Sequence, residues 1–188
     1  MKKLKEILFK VNIDSVYGNT EINVSKITFD SREVINSSLF VAISGHNYDG
    51  HDYISQSVKN GASVVVCENL PTNFKENNIV FICVSCSKTA LSIIASNFFD
   101  NPSSKIDLIG ITGTNGKTTI SSLLNNLFDE LKVKSGLIST INIKYGEFIE
   151  NSNNTTPDPI TINFHLSEMI KRKIKVCFIE VSSHGIFQ

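Results

Sequence analysis

The sequence has no excess of charge of either sign and no long apolar run. Its 188 residues include 18 Lys and Arg and 18 Asp and Glu, so the formal net charge is zero. Without net positive charge there is no long-range attraction for nucleic acid or an acidic lipid surface, and we expect neither as a partner. No segment approaches the roughly 20 apolar residues of a membrane span. Lys5, Glu6 and Lys10 interrupt the apolar stretch that an export signal needs, so we expect a cytoplasmic protein.

Cysteine is also scarce, with four residues in the chain. Cys83 and Cys86 form a single C-x-x-C pair, whereas structural zinc sites usually combine two such pairs, or one pair with two spaced histidines. The surrounding apolar run from Ile79 to Val84 is typical of a buried strand. We therefore predict packed, reduced thiols, as expected in an intracellular compartment, and no metal site there.

What the chain does have is enough apolar residues for a core, at 41% of the sequence. Apolar runs that read as strands alternate with segments of helical spacing, and this alternation predicts an α/β fold with largely parallel sheets. The best linker is Asn101-Pro102-Ser103-Ser104. We predict a small N-terminal α/β substrate domain at 1–100, followed at 105–188 by the first half of a P-loop ATPase domain with a mostly parallel sheet.

Individual elements follow from the same patterns. Strands are predicted at 27–29, 39–43, 64–67, 79–84, 106–112 and 176–180, and a hairpin at 141–149. Helices are predicted around four sets of apolar positions, at 53–58, 91–98, 120–131 and 162–170.

The sharpest functional signal is a glycine-rich turn between a predicted strand and a predicted helix. It reads Gly-Ile-Thr-Gly-Thr-Asn-Gly-Lys-Thr-Thr over residues 110–119. Inward-pointing N–H groups and the N-terminus of the next helix hold an anion, and a lysine here reaches the β- and γ-phosphates. The strict P-loop pattern has glycine where this chain has Ile111, so this is a shortened variant. The predicted ATP-binding residues are Gly113, Thr114, Asn115, Gly116, Lys117, Thr118 and Thr119.

A nucleotide triphosphate site also needs Mg²⁺, which oxygen ligands hold. The Thr118 hydroxyl is one predicted ligand. Glu180 is the other, because it closes an apolar strand, and ligands of doubly wound sheets gather at the carboxyl ends of strands. We predict Lys117 and Glu180 as catalytic residues. The alternative for Glu180 is an ordinary solvated strand end.

Several motifs, in order, resemble those of the Mur ligases. In the second half they are Gly-Thr-Asn-Gly-Lys-Thr-Thr at 113–119, Asn-Thr-Thr-Pro at 154–157 and Glu-Val-Ser-Ser-His-Gly at 180–185. Upstream, Phe-Asp-Ser-Arg at 29–32, Leu-Phe-Val-Ala at 39–42, Gly-His at 45–46 and Asp-Gly-His at 49–51 resemble the N-terminal domain of the family member that adds the third amino acid of the peptidoglycan stem peptide. The resemblance covers nearly the whole chain.

The resemblance implies particular substrate contacts. Some would bind the UDP-sugar end of UDP-N-acetylmuramoyl-dipeptide, and others its muramoyl-peptide end. Ser31 could instead merely cap a turn, and Asn-Thr-Thr-Pro is also a plain helix entry. Arg32 suits a diphosphate or a surface ion pair equally well. His184 is left as a candidate with a structural alternative. The implied substrate-binding residues are Phe29, Ser31, His46, Asn47, Tyr48, Asn154, Thr155, Thr156, Ser182 and Gln188.

The resemblance further implies an ATP-dependent ligase that joins diaminopimelate or lysine to UDP-N-acetylmuramoyl-L-alanyl-D-glutamate through an acyl phosphate. Family residues that complete catalysis would lie beyond Gln188, so we expect the isolated chain to be inactive and part of its central sheet to be absent. Val176–Ile179 is then expected to be an unpaired apolar edge. A folylpolyglutamate-synthetase-like ligase, a non-catalytic nucleotide-binding module and a P-loop kinase of small molecules remain open.

Overall fold

The computed structural model describes residues 1–45, 48–72, 78–152 and 154–186. The chain divides into two compact units, Met1–Phe98 and Phe99–Gln188. The segment predicted as a linker belongs to the second unit, where Pro102–Ser104 forms a 3₁₀ turn and Pro102 is buried. Within the described ranges, no helix is both long and apolar enough to cross a membrane.

The first unit is an α/β layer structure built on a five-stranded sheet in the order β2-β7-β6-β5-β4. Neighbours among β4 to β7 run parallel, and β2 is antiparallel to β7. Its strands are β1 (Lys2–Lys3), β2 (Ser15–Tyr17), β3 (Asn23–Val24), β4 (Lys26–Thr28), β5 (Ser38–Val41), β6 (Ala62–Cys67) and β7 (Val80–Cys83), and its helices are α1 (Leu4–Ile7), α2 (Ile54–Lys59) and α3 (Ser87–Phe98). Further 3₁₀ turns span Ser31–Glu33 and Gly50–Tyr53.

The uninterrupted apolar run of β6 is explained by burial on both faces of this sheet. Val64, Val65 and Val66 have no exposed surface. Val65 packs with Phe40 in one cluster of buried residues. A parallel strand covered on both faces is expected to be apolar at every position, which is the pattern seen here.

The second unit contains a five-stranded sheet in the order β11-β10-β9-β12-β8. β12 is parallel to both of its neighbours, β9 and β8, and pairing is antiparallel in the β9-β10-β11 portion. The prediction of an α/β fold with parallel-rich sheets is thus confirmed. The strands are β8 (Asp107–Ile111), β9 (Ser135–Ile138), β10 (Asn142–Tyr145), β11 (Phe148–Asn151) and β12 (Val176–Glu180), and the helices are α4 (Lys117–Glu130), α5 (Pro159–Lys171) and α6 (Ser183–Ile186).

The position of β12 contradicts the expectation that Val176–Ile179 is an exposed edge. β12 lies between β9 and β8 and pairs with both, and its Phe178 and Ile179 are buried. The edge strands of the described sheet are β11 and β8, and Leu108 and Ile109 of β8 are exposed. The prediction was wrong because strands that follow one another in sequence need not be neighbours: a crossover can insert a later strand between earlier ones.

Helix α4 faces the sheet with a different side from the one its apolar spacing suggests. Leu124 and Phe128 pack against the cluster of Ile111, Leu137 and Phe178. Two polar side chains of the same face, Ser121 and Asn125, are also buried. The apolar residues Ile120, Leu123, Leu127 and Leu131 are exposed.

The four cysteines are free thiols, as predicted. Burial raises the pKa of Cys67 and Cys177 to about 12. Cys83 is half-buried, but Cys86 is exposed, so the prediction that both members of the C-x-x-C pair are packed was wrong for Cys86. The described residues include no group of three or more His, Cys, Asp or Glu side chains placed to hold a metal.

Candidate functional site

The glycine-rich turn joins the end of β8 to the start of α4. Gly113 and Gly116 have φ values of 146° and 78°, a region that side chains with a Cβ rarely adopt, so glycine is required at both positions. Gly116 is the N-cap of α4. The Lys117 ammonium donates a hydrogen bond to the Gly113 carbonyl, with 2.7 Å between Nζ and O. The lysine therefore lies over the loop whose backbone would bind phosphate.

Glu180 ends β12 beside this loop, and its side chain is fully buried. The Thr118 hydroxyl donates to Oε2 at 3.0 Å. Thr140 donates twice, from its backbone N–H to Oε1 at 3.1 Å and from its hydroxyl to Oε2 at 2.9 Å. Because a buried carboxylate is costly unless it is hydrogen-bonded, these donors account for its place in the fold. The alternative interpretation of Glu180 as a solvated strand end is excluded.

Ser121 and Thr140 are the members of this cluster that sequence reasoning missed. Ser121 Oγ lies 3.3 Å from Glu180 Oε1 and 3.1 Å from the Thr118 carbonyl, so its single proton serves one acceptor at a time. Its position three residues after Thr118 on a helix is a signal that could have placed both hydroxyls on one face. Thr140 follows β9, a strand that the sequence reading did not predict.

The donor set around Glu180 fits a magnesium ion. Mg²⁺ prefers oxygen ligands and is usually held by one or two carboxylates together with substrate phosphates and water. Here one carboxylate and the hydroxyl of Thr118 meet at the end of the phosphate loop, with 3.0 Å between their oxygens. Neither a histidine nitrogen nor a cysteine sulfur is among the contacts of Glu180 that the structure describes.

The loop at 154–157 reaches the backbone of the same strand end. The Thr156 hydroxyl donates to the Glu180 carbonyl at 3.0 Å and accepts from the Ser182 N–H at 3.0 Å. The hydroxyls of Thr156 and Ser182 lie 3.2 Å apart. Asn154 is exposed and Thr155 is half-buried. The structure thus brings Thr156, Ser182 and Glu180 together, while Gln188 lies outside the described residues.

Predicted substrate residues of the first unit lie around the end of β4 and after β5. Phe29 is exposed and Ser31 is buried at the start of its 3₁₀ turn, where the Ser31 carbonyl accepts from the Asn60 side chain at 2.9 Å. Tyr48 is 75% exposed, so its ring is available to a ligand. His46 and Asn47 lie outside the described residues.

Arg32 forms an ion pair in this structure. Its guanidinium contacts both oxygens of Asp30, at 2.9 Å from Nε and 2.6 Å from Nη2. This hydrogen bond is the main reason why the pKa of Asp30 is lowered. Of the two alternatives for Arg32, the surface ion pair is the one observed.

A second network that sequence reasoning missed fixes the turn carrying Tyr48. The His51 Nδ1 lies 2.6 Å from the Asp49 carboxylate, and its Nε2 accepts from the Glu68 backbone N–H at 2.9 Å. The Glu68 carboxylate in turn accepts from the N–H and hydroxyl of Ser87, both at 2.8 Å, at the start of α3. Since Nε2 is an acceptor, the proton lies on Nδ1.

Comparisons with known proteins agree with this geometry. Residues 23–103 match the family described as Mur ligase family, catalytic domain, and residues 111–188 match the Mur ligase middle domain. The chain belongs to the Mur ligase family. The second match contains the phosphate loop from Thr112 onward, the loop at 154–157 and Glu180.

Named relatives of this Mur ligase chain include the UDP-N-acetylmuramoyl-L-alanyl-D-glutamate--2,6-diaminopimelate ligase of Cytophaga hutchinsonii. It is 44% identical over 186 residues, which are 99% of this chain and 38% of that protein. The Mur ligase chain therefore spans about 38% of the length of that relative.

Two solved structures share the fold. A UDP-N-acetylmuramoyl-L-alanyl-D-glutamate--2,6-diaminopimelate ligase has a TM-score of 0.76 at 21% identity, over 100% of this chain and 37% of the other. The MurF ligase from Thermotoga maritima in complex with ADP has a TM-score of 0.55 at 24% identity, over 85% of this chain and 32% of the other.

Proposed function

We propose that this chain is the substrate- and ATP-binding part of a cytoplasmic ligase that adds diaminopimelate to UDP-N-acetylmuramoyl-L-alanyl-D-glutamate in peptidoglycan synthesis. The observation that carries the proposal is the contact between Thr118 of the phosphate loop and the buried carboxylate of Glu180, at the end of β12. A relative 44% identical over nearly the whole chain bears the name of that ligase.

ATP would bind at the junction of β8 and α4. The backbone N–H groups of residues 113–119 and the N-terminus of α4 provide partial positive charge for the phosphates, and Lys117 provides a full one. Thr118 and Glu180 would hold Mg²⁺, which neutralises charge on the phosphoryl oxygens when it is bound. Thr140 and Ser121 keep the carboxylate in place for this task.

The reaction requires two displacements. A carboxylate oxygen of the UDP-linked dipeptide attacks the γ-phosphorus of ATP, and ADP leaves with the electrons of the broken P–O bond. The amine nitrogen of diaminopimelate then attacks the acyl carbon of the acyl phosphate, inorganic phosphate leaves, and the nitrogen loses a proton. The groups of this chain serve the first displacement by positioning the triphosphate and stabilising charge on its oxygens. Lys117 and the loop N–H groups act on the γ-phosphoryl group.

The UDP-sugar end would contact the first unit, at Phe29, Ser31 and residues His46, Asn47 and Tyr48. The muramoyl-peptide end would contact residues of the second unit. Both sets provide hydroxyl, amide and aromatic groups and little net charge, which suits uracil edges and sugar hydroxyls. The proposed contacts of the second unit are Asn154, Thr155, Thr156, Ser182 and Gln188.

The nucleotide site is tested by titrating the chain with ADP in Mg²⁺ and measuring heat. We expect saturable binding, and Lys117→Ala should weaken it about 10- to 100-fold, because a hydrogen bond to a charged group contributes about 1.5–3 kcal/mol. The matched control is Lys134→Ala, which removes an exposed lysine outside the loop. Equal binding by the two variants would exclude the proposed site.

The substrate site is tested separately with UDP-N-acetylmuramoyl-L-alanyl-D-glutamate. Binding should shift amide NMR signals around Phe29, Ser31 and Tyr48, and a folate should leave them unchanged. Shifts with the folate alone would favour a folylpolyglutamate-synthetase-like ligase.

A further inference from the structure

The Thr156 hydroxyl is committed to the backbone of the strand that carries Glu180. A hydroxyl has one proton, and the Glu180 carbonyl can only accept, so Thr156 donates to it at 3.0 Å. The Ser182 N–H can only donate, and it does so to the same Thr156 oxygen at 3.0 Å. One side chain thus joins the two peptide groups on either side of Val181.

Thr156 continues the pairing of β12 beyond its ladder with β9, at a residue that still pairs with Ile111 of β8 on the other side. The parallel ladder between β12 and β9 stops at the pair Ile179 and Ile138. The next carbonyl, that of Glu180, is taken by Thr156. Backbone groups left unpaired in a buried place are costly, so this hydroxyl replaces a strand partner at the residue whose side chain faces the phosphate loop.

Packing holds the Thr156 side chain in that position. Gly185 lies directly against it: a Cβ at Gly185 would be 2.6 Å from the Thr156 Cβ. The Gly185 N–H also donates to the Ser182 hydroxyl at 3.0 Å, and that hydroxyl lies 3.2 Å from the Thr156 oxygen. Residues 154–157 therefore cannot shift without disturbing the end of β12.

We infer that Thr156 is a positioning residue that couples the loop at 154–157 to the Glu180 carboxylate, so that occupation of the loop by the UDP-linked dipeptide changes the affinity for Mg²⁺ and nucleotide. This inference rests on the proposed function. Coupling of binding free energies is reciprocal, so Mg²⁺ and nucleotide change the affinity for the dipeptide substrate by the same factor.

The test compares Thr156→Val, which removes the hydroxyl and keeps the shape, with Thr156→Ser, which keeps the hydroxyl. The matched control is Thr161→Val, because Thr161 is also half-buried but donates to the Asp158 carboxylate at 2.6 Å. ADP binding to the 188-residue chain is measured by calorimetry, once in Mg²⁺ and once in EDTA. We expect Thr156→Val to weaken binding about five- to tenfold in Mg²⁺ and not in EDTA. Thr156→Ser should stay within about twofold of the unmodified chain, and Thr161→Val should match it.

Two results would overturn the inference alone: equal affinities for Thr156→Val and Thr161→Val, or an equal loss in Mg²⁺ and in EDTA. Absence of ADP binding by the unmodified chain would overturn the proposed function, and the inference with it. Should Thr156→Val not fold, the unmodified chain still decides the question. UDP-N-acetylmuramoyl-L-alanyl-D-glutamate should change its affinity for ADP in Mg²⁺ by about fivefold or more, and no change would refute the coupling.

Discussion

At the scale of single residues, Glu180 carries a carboxylate that is fully buried. It has hydroxyl and N–H donors from Thr118 and Thr140 around it but no cationic side chain among its contacts in the described residues. A buried charge without a cation lowers stability, and such groups persist where function needs them. Bound Mg²⁺ would supply the missing positive charge.

We therefore expect Glu180→Gln to weaken the binding of Mg²⁺ and ADP without lowering the stability of the free chain. In metal-free buffer the free energy of unfolding should not fall, because the amide removes a buried charge and hydroxyl donors can rotate to become acceptors. Stabilisation by Mg²⁺ and ADP, about 2.7 kcal/mol for a ligand at 100 times its Kd, should fall to less than half. Denaturant unfolding with and without ligand measures both. The control is Glu147→Gln at an exposed position, and a loss above about 2 kcal/mol in metal-free buffer for Glu180→Gln would contradict the expectation.

At the scale of elements, the sequence predicted which helices and strands are present better than it predicted which of their faces are buried. The P-loop, α4 and β12 were predicted because glycine placement and apolar runs are local signals. The short β9 was missed because Ser135 and Gly136 dilute its apolar pattern. A Cβ at Gly136 would lie 2.5 Å from Met169 Sδ, so a larger residue there would require the Met169 side chain to shift. The buried face of α4 could not be read, because its exposed apolar residues repeat with the same helical period as a core face.

The two faces of α4 give a direct test of this orientation. Leu124→Ala should lower the free energy of unfolding by about 1.5–3 kcal/mol, because Leu124 packs against the sheet cluster. Leu123→Ala, one residue earlier, should change it by less than about 0.5 kcal/mol, because Leu123 is 62% exposed. Chemical denaturation of both variants checks the prediction. A larger loss of unfolding free energy in Leu123→Ala than in Leu124→Ala would show that the Leu123 side of α4 packs against the sheet.

His165 makes the packing of α5 on the hairpin sensitive to pH. The residue is buried, its Nδ1 lies 3.2 Å from the Tyr145 hydroxyl, and burial lowers its pKa despite opposing effects of Glu150, Glu168 and Asp158. A lowered pKa in the folded state means that the unfolded chain binds the proton more readily. The stability that neutral His165 contributes is therefore complete above its ordinary value of 6.5 and declines as the pH falls below it.

We expect the free energy of unfolding to fall between pH 7 and pH 5, and to fall less steeply in His165→Gln. Urea titrations at several pH values measure the slope. The comparison residue is His51, whose replacement by Gln leaves the His165 contribution in place. An identical pH slope in His165→Gln and the unmodified chain would show that other groups cause the dependence.

At the scale of the whole molecule, the exposed apolar surface and the net charge both favour association between copies of the chain. Ile120, Leu123, Leu127 and Leu131 are exposed on α4, and Leu108 and Ile109 are exposed on β8. On α4 these side chains lie beside the face that packs on the sheet, so the helix carries more apolar surface than the sheet covers. The formal net charge of zero provides no electrostatic repulsion between copies.

The 188-residue chain is accordingly expected to self-associate as its concentration rises. Replacing two exposed leucines, Leu123→Lys with Leu127→Glu, should shift the onset to higher concentration without loss of unfolding free energy. The net charge is unchanged by this pair, so any gain reports the apolar surface. Static light scattering over a concentration series is the measurement, and an unchanged onset would assign the association to another surface, such as β8.

The position of β12 between β9 and β8 also affects the order of assembly. β8 and β9 do not pair with each other, so β8 can join the sheet only after β12 is in place, whereas β9 can already pair with β10. Residues 112–175 intervene between β8 and β12, and closing so long a loop is slow compared with forming a helix or a hairpin. During synthesis the nucleotide loop therefore emerges well before the strand that anchors it, and the site acquires its shape only after β12 has joined the sheet.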